Sequence, residues 1–477
     1  MKHLIFLAVL FGVAFYLVHN RIGSLPYGYD EADYMFAASQ GVEANWLDRG
    51  TVPITDFVRA GLQRGTVPGG LTALSALERS SPDTLFQRHW HGPLYYYWLT
   101  VMRHLQVDEH SMRFLSLLFP GLTALVMYFG SSAVLGGLQG QVAGMLASML
   151  FLWSPVTLQS TELAPHMLFV LCSVSALLLL AKVAAGGGRR YYYAAAVCSG
   201  LAFCTLEVAL VLIAVMLFVV WWRRESLAPD RRFARDAAAL FIVPVLVIWP
   251  TSLLKLSFIK SYIVMAFLAI FRKAAWGDIT FAQTWRLRFL TSPVEWILIL
   301  VALLCLAQRD SGYARYARKA AITFLLFAGL MILAMLPVYS ETQRYATPFL
   351  AGLDLFAAWT LSSLLVRPLR PRITYATLAA ICGLLYLSAA YELSTYVPAE
   401  DHRQANALNA LRVAGLENKT VLIPEPDFPT LHYYLPKMRA QPYANTSAIP
   451  AELRESHFDA VLYPDYSLRM NPSPAEP

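Results

Sequence analysis

The sequence has 477 residues, of which 57% are hydrophobic and 14% charged, and its mean hydropathy is +0.48. A soluble chain carries roughly a quarter charged residues; here the deficit runs through most of the length, which excludes a soluble enzyme with one anchor. The net charge of +7 falls in short loops between apolar runs, where it orients a chain in a bilayer and gives no reason to expect nucleic acid.

The first apolar run, residues 4–18, follows Lys2, and no A-x-A-like site comes after it. It reads as an uncleaved first membrane helix. A long polar loop then occupies residues 21–111, far more than a connector needs. Asp30 and Glu31 lie about ten residues into it, in GYDEADYMFAASQ; by residue type alone, Asp30 reads equally as the cap of a following helix. HWHGPLYYYWL, residues 89–99, returns the chain to the membrane. Its aromatic run is an ordinary interfacial belt, and His89 and His91 leave a divalent metal or a phosphate open as a ligand.

Further apolar runs fall at 112–135, 140–158, 165–183, 191–206, 207–222, 236–254, 293–307, 320–337, 346–366 and 373–391, about eleven spans in all. Basic clusters at Arg189–Arg190, Arg223–Arg235, Arg309–Lys319 and Arg367–Arg372 occupy alternate loops. They belong in the cytoplasm, with the N-terminus inside and the C-terminus outside. The eleven-residue apolar segment 261–271 is too short to span and reads as an interfacial or re-entrant helix. The five cysteines all lie inside apolar runs, so no disulfide framework or thiol zinc site is expected.

Under this topology the chemistry-bearing residues gather on the outer face. Glu162 and His166 lie in SPVTLQSTELAPHM between two spans, and Glu341 and Arg344 in PVYSETQRYATP. The outer stretch with Lys255, Lys260, Arg272, Lys273, Arg286 and Arg288 runs against the orientation rule and asks for an anionic partner such as a lipid phosphate. Asp354, inside an apolar run, must face a partner or a cavity. From about residue 395 the pattern becomes helix 400–413, strand 420–423, short helix 429–434 and strand 460–463, a small α/β appendage. The division is therefore 1–394 and 395–477, with a disordered final tail.

An acidic pair after the first span, an H-x-P-L-Y-Y motif, S-P-x6-E at the third-to-fourth turn and a late R-Y-x-x-P together resemble the GT-C superfamily. Within it the sequence looks like the protein O-mannosyltransferase and lipid A aminoarabinose transferase group. The resemblance covers residues 1–391. It implies an all-α polytopic membrane protein of GT-C fold in the inner or plasma membrane. It also implies a glycosyltransferase moving a sugar from a polyprenyl-phosphate donor to an acceptor lipid, protein or glycan on the outer face. Asp30 and Glu31 would then be catalytic, one as base and the other orienting acceptor or sugar. His91, Pro93, Leu94, Glu162, Arg344 and Tyr345 would lie near the sugar phosphate. Two departures stand out. Trp90 takes the place of an acidic residue before the motif histidine, which weakens the case for metal there. CTLEVAL has Glu207 where many members have a lysine, which shifts phosphate binding toward Lys260, Arg272 and Lys273. A transporter of lipid-linked sugars, or a non-catalytic assembly protein, is the alternative. The internal symmetry that would favour a transporter is not visible.

Overall fold

The computed structural model describes residues 2–47, 91–252, 279–307, 315–366, 371–395 and 402–470, a few single positions within these ranges excepted. His89, Lys260, Arg272, Lys273 and the 261–271 segment lie outside the described residues.

A helix stands at each of the eleven apolar runs: Lys2–Val18, Leu118–Leu135, Gly137–Leu152, His166–Ala184, Arg189–Phe203, Leu210–Trp222, Arg231–Ile248, Pro293–Ala307, Arg315–Met335, Thr347–Val366 and Pro371–Thr395. By length and composition, four described segments suffice to cross a membrane alone: Glu109–Leu135, His166–Ala184, Thr347–Val366 and Ile373–Thr395. The run expected as a straight span at 293–307 is instead one limb of a broken pair. It meets Phe281–Thr291 at 91°. The cause is Pro293, which lacks an amide and pushes Ser292 out of helical geometry, to φ −134° and ψ 57°.

Polar residues set the helix starts. Asp108 accepts from Ser111 N at 2.8 Å, Asp230 accepts from Phe233 N at 2.7 Å, and Thr280 forms a capping box with Gln283. Each satisfies an amide that the first turn leaves without a partner. In the core, Gly144 lets Gly137–Leu152 lie backbone to backbone on Leu118–Leu135, since a Cβ there would come 2.4 Å from Tyr128 O. Small residues at such crossings are the usual means of close packing in membranes. Thr347–Val366 is the central helix, buried continuously from Thr347 to Ser363. Its Trp359 Nε1 donates to Ser131 Oγ at 2.8 Å. Burial of this helix places Asp354 in the interior beside Glu295, and Ser154 Oγ donates to Glu295 at 2.6 Å. The group nearest Asp354 in kind is thus a second carboxyl, and neither Asp354 oxygen has a hydrogen-bond partner among the described residues.

After the last membrane helix comes a small α/β unit. Its sheet has the order β2-β1-β3-β4, with β1 (Thr420–Pro424), β2 (Arg439–Tyr443), β3 (Ala460–Leu462) and β4 (Leu468–Met470). The β1–β2 and β1–β3 pairs are parallel and β3–β4 is antiparallel. Helices His402–Val413, Phe428–Tyr434 and Ile449–Glu455 accompany it. The sequence reading anticipated β1, β3 and the first two helices. It missed the helix Ile449–Glu455, β4, and β2, whose RAQPY contains a proline of the kind an edge strand tolerates.

Candidate active site

The site starts at the helix Tyr29–Ser39, whose N-cap is Gly28. Asp30 therefore sits inside the first turn and is not the cap, which disposes of the capping explanation for it. Its carboxylate instead accepts from Arg344 Nη2. Arg344 belongs to the short 3-10 turn Gln343–Tyr345 that leads into the central helix. Its Nη1 donates to Glu162 Oε2 at 2.9 Å and its Nη2 reaches Tyr345 Oη at 3.2 Å. One guanidinium thus joins two carboxylates 132 residues apart, one in the first turn of a helix and one in a loop. Burial works against the charge on Arg344, but Tyr345, Glu162 and Asp30 outweigh it and hold the group protonated, above its usual range. Arg344 is 6% exposed, whereas the Asp30 and Glu162 side chains are 35% and 47% exposed. The carboxylates face open space and the cation sits behind them.

Arg344 and Glu162 border a pocket of about 370 Å³ whose wall also includes Gln159, Ser160, Thr291, Thr342 and Glu392. Behind Arg344 stands an aromatic wall. Tyr34 and His91 rings are 6.1 Å apart, His91 and His166 6.3 Å, and His166 and Tyr345 5.1 Å. Burial first, then the Asp30 charge, push the Tyr34 hydroxyl well above its usual range, so it stays neutral.

Glu31, expected to work beside Asp30, is placed differently. It is 7% exposed. It accepts from Arg113 Nε at 2.9 Å and from Leu163 N at 2.9 Å. Arg113 also donates to Gly23 O at 3.0 Å and Leu25 O at 2.8 Å. Glu31 is thereby a tie between the first loop, the helix Glu109–Ser116 and the Glu162 turn. The sequence reading missed Arg113, which it took as the start of a span. A lone arginine in the first turns of an apolar run was the available signal.

His91 lies near the site, as expected, but its Nδ1 is 3.2 Å from Glu207 Oε2. The glutamate that replaces the usual lysine thus has a partner of its own. Gly92 lets the motif reach this position: a Cβ there would come 2.3 Å from the carbonyl carbon and oxygen of Cys204, and Leu94 N donates to Cys204 O at 3.0 Å. Gly92→Ala is expected to misplace His91 and to cost about 1–3 kcal/mol of stability, the usual range for overpacking. The melting temperature of the detergent-solubilised protein checks this, and an unchanged value would mean that the Cys204 backbone yields freely.

Of the described basic residues read onto the outer side, Arg288 is 2% exposed, lies over the Trp285 and Phe349 rings at 5.0 and 5.7 Å, and none of its three nitrogens has a hydrogen-bond partner among the described residues. Among the described residues no group of three His, Cys, Asp or Glu side chains is disposed to hold a metal ion. The chemistry of the donor set agrees: a guanidinium already fills the space between Asp30 and Glu162 that a dication would need, so these residues do not fit a divalent metal.

Residues 90–249 match the family model described as dolichyl-phosphate-mannose-protein mannosyltransferase. No curated protein sequence matches significantly. Among solved structures, ArnT from Cupriavidus metallidurans in the apo state is similar over 95% of this chain and 88% of its own, at 13% identity and a TM-score of 0.60. The same protein bound to undecaprenyl phosphate matches at 14% identity and a TM-score of 0.58, covering 93% of this chain and 86% of that one. The archaeal oligosaccharyltransferase AglB from Archaeoglobus fulgidus, in complex with an inhibitory peptide and a dolichol-phosphate, matches at 13% identity and a TM-score of 0.58, over 92% of this chain. This chain spans 64% of the length of AglB. Residues 90–249 thus resemble the dolichyl-phosphate-mannose-protein mannosyltransferase family, and over most of its length the chain has a fold similar to those of ArnT and AglB.

Proposed function

We propose that this protein transfers a sugar from a polyprenyl-phosphate donor to a hydroxyl or amine acceptor at the extracytoplasmic face, by a single displacement that inverts the anomeric centre. The observation that carries this reading is the Asp30–Arg344–Glu162 bridge at the edge of a pocket beside membrane helices. A phosphate is a good leaving group and needs no acid to protonate it. What the reaction needs is one base for the acceptor and fixed positive charge for the phosphate. Arg344 supplies the charge and Asp30 the base. A donor phosphate arriving at Arg344 would compete with Asp30 for the guanidinium and release the carboxylate as the acceptor binds.

Arg288 is proposed as a second cation for the same lipid phosphate. A buried guanidinium without a counterion is costly, and an anionic ligand removes that cost. Lys260, Arg272 and Lys273 are proposed as further contacts from the neighbouring outer segment. His91, held by Glu207, and Tyr345 would form the wall against which the sugar rests. Residues 1–394 would form the transferase module and 395–477 an extracytoplasmic region, with the N-terminus cytoplasmic. ArnT and AglB have been captured with undecaprenyl phosphate and dolichol-phosphate, which supports a polyprenyl phosphate as the common ligand here.

Native mass spectrometry of the protein in nanodiscs with added undecaprenyl phosphate tests the donor site. One lipid is expected to stay bound, and Arg288→Gln is expected to lower its retention at least tenfold. Equal retention would remove Arg288 from the phosphate site. Because a guanidinium already bridges the carboxylates, EDTA is expected to leave sugar transfer unchanged; loss of transfer on chelation, restored by a divalent salt, would contradict this assignment.

A further inference from the structure

The helix Phe428–Tyr434 of the C-terminal unit packs against the helix that carries Asp30. The contact is specific at Tyr27, three residues before Asp30. Both backbone groups of Tyr27 are taken by side chains from about four hundred residues away in sequence. Its amide donates to Tyr434 Oη at 2.9 Å, and its carbonyl accepts from Thr430 Oγ1 at 3.1 Å. Tyr434 in turn donates to Glu109 Oε1 at 2.8 Å. Glu109 begins the same helix as Arg113, whose guanidinium lies 5.3 Å from the centre of the Tyr27 ring and holds Glu31. The Tyr434 ring stacks on Tyr27 at 6.3 Å. Farther along, the His432 ring lies 4.7 Å from Phe36 of the Asp30 helix; burial lowers its pKa to about 4, so at neutral pH this is an uncharged contact.

These contacts are not required by the C-terminal unit's own fold. That unit buries two apolar clusters of its own, one around Leu408, Val421 and Leu431 and one around Leu422, Tyr443 and Ile449. The Tyr434 ring packs against the first of these, but the Thr430 and Tyr434 hydroxyls bond the Tyr27 backbone. Before the Gly28 cap, residues 21–23 and 25–27 carry no regular structure. Without these hydroxyls the Tyr27 peptide groups would be free to take other partners, and the start of the Asp30 helix with them.

We infer that the C-terminal unit is a working part of the active site, with the Thr430 and Tyr434 hydroxyls as positioning groups that fix the Tyr27–Glu31 turn and so aim Asp30 at the reacting centre. This rests on the proposed role of Asp30 as base. A displacement of about 1 Å in a reacting group costs on the order of a hundredfold in rate, so loss of a positioning hydroxyl is read in turnover before it is read in affinity.

The experiment compares Tyr434→Phe, Thr430→Val and Thr430→Ser in the full-length protein, each assayed for transfer from an undecaprenyl-phosphate sugar and for hydrogen exchange. Tyr434→Phe keeps the ring stack and removes the bond. Turnover per folded molecule is expected to fall about ten- to a hundredfold with the donor KM within twofold. Thr430→Val should behave likewise, and Thr430→Ser, which keeps the hydroxyl, should restore most of the rate. Amide exchange across residues 25–34 should quicken at least fivefold in Tyr434→Phe while the central membrane helix is unaffected. Normal turnover and unchanged exchange in Tyr434→Phe and Thr430→Val would overturn the inference. The exchange measurement needs no catalysis, so absence of transfer by the unaltered protein would count against the proposed function and leave the positioning result to be judged on its own.

Discussion

Asp30→Asn is expected to fold, insert and bind donor, yet to transfer sugar two to four orders of magnitude more slowly than the unaltered protein, the usual contribution of a positioned base. Asparagine keeps the shape and can still accept from Arg344 but cannot take a proton from the acceptor. The cost to the fold is small because the cap is Gly28. A charge lost from a first helical turn is worth about 0.3–1 kcal/mol, and the side chain is 35% exposed. Single-turnover rates at saturating donor, beside a thermal melt, separate the two effects. Near-normal turnover would take Asp30 out of the chemistry. Glu31 could not replace it without first giving up Arg113 and Leu163 N. Glu162 would then be the next carboxylate to test.

Removing the cation has a different signature. In Arg344→Gln, Asp30 and Glu162 lose their shared counterion and the lipid phosphate loses its fixed charge. Turnover should fall about a hundred- to a thousandfold, as when one oxyanion donor is deleted, and the donor KM should rise as well. Breaking a fully buried pair costs about 3–5 kcal/mol, but here both carboxylates are partly exposed, so about 1–2 kcal/mol is expected. Arg344→Lys should recover part of the donor affinity and less of the rate, because an ammonium cannot hold two carboxylates in one plane as the guanidinium fork does. Equal activity of the Gln variant and the unaltered protein would show that the bridge is only a structural tie.

A helix was legible at each apolar run, but the 91° break at Ser292–Pro293 was not foreseen, although Pro293 is its local signal. The residues that the structure brings together were singled out by position. Asp30, Glu162 and Arg344 were each read into an outer loop, and no local pattern says that they touch. Their meeting depends on how the Glu162 turn and the Gln343–Tyr345 turn stack beside the first loop, a matter of tertiary packing. Roles were less legible than places. Glu31 and Asp30 are neighbours of the same chemical type, and only the third dimension separates the one held by Arg113 from the one facing Arg344. Glu207 looked like a loss of positive charge until His91 appeared beside it. The edge strand β2 and the Tyr27–Tyr434 contact escaped for a related reason, since both are pairings between distant segments that carry no periodic signal.

Transfer from a lipid phosphate and the role of Asp30 as base are both addressed by one assay. The purified protein in nanodiscs receives an undecaprenyl-phosphate sugar labelled in the sugar, together with a membrane extract as acceptor source, and released undecaprenyl phosphate is measured against label in product. The account predicts stoichiometric release and transfer, inversion at the anomeric carbon, and loss of both on Asp30→Asn with donor binding retained. Donor that binds but is never cleaved, or cleavage that proceeds equally well in Asp30→Asn, would contradict it.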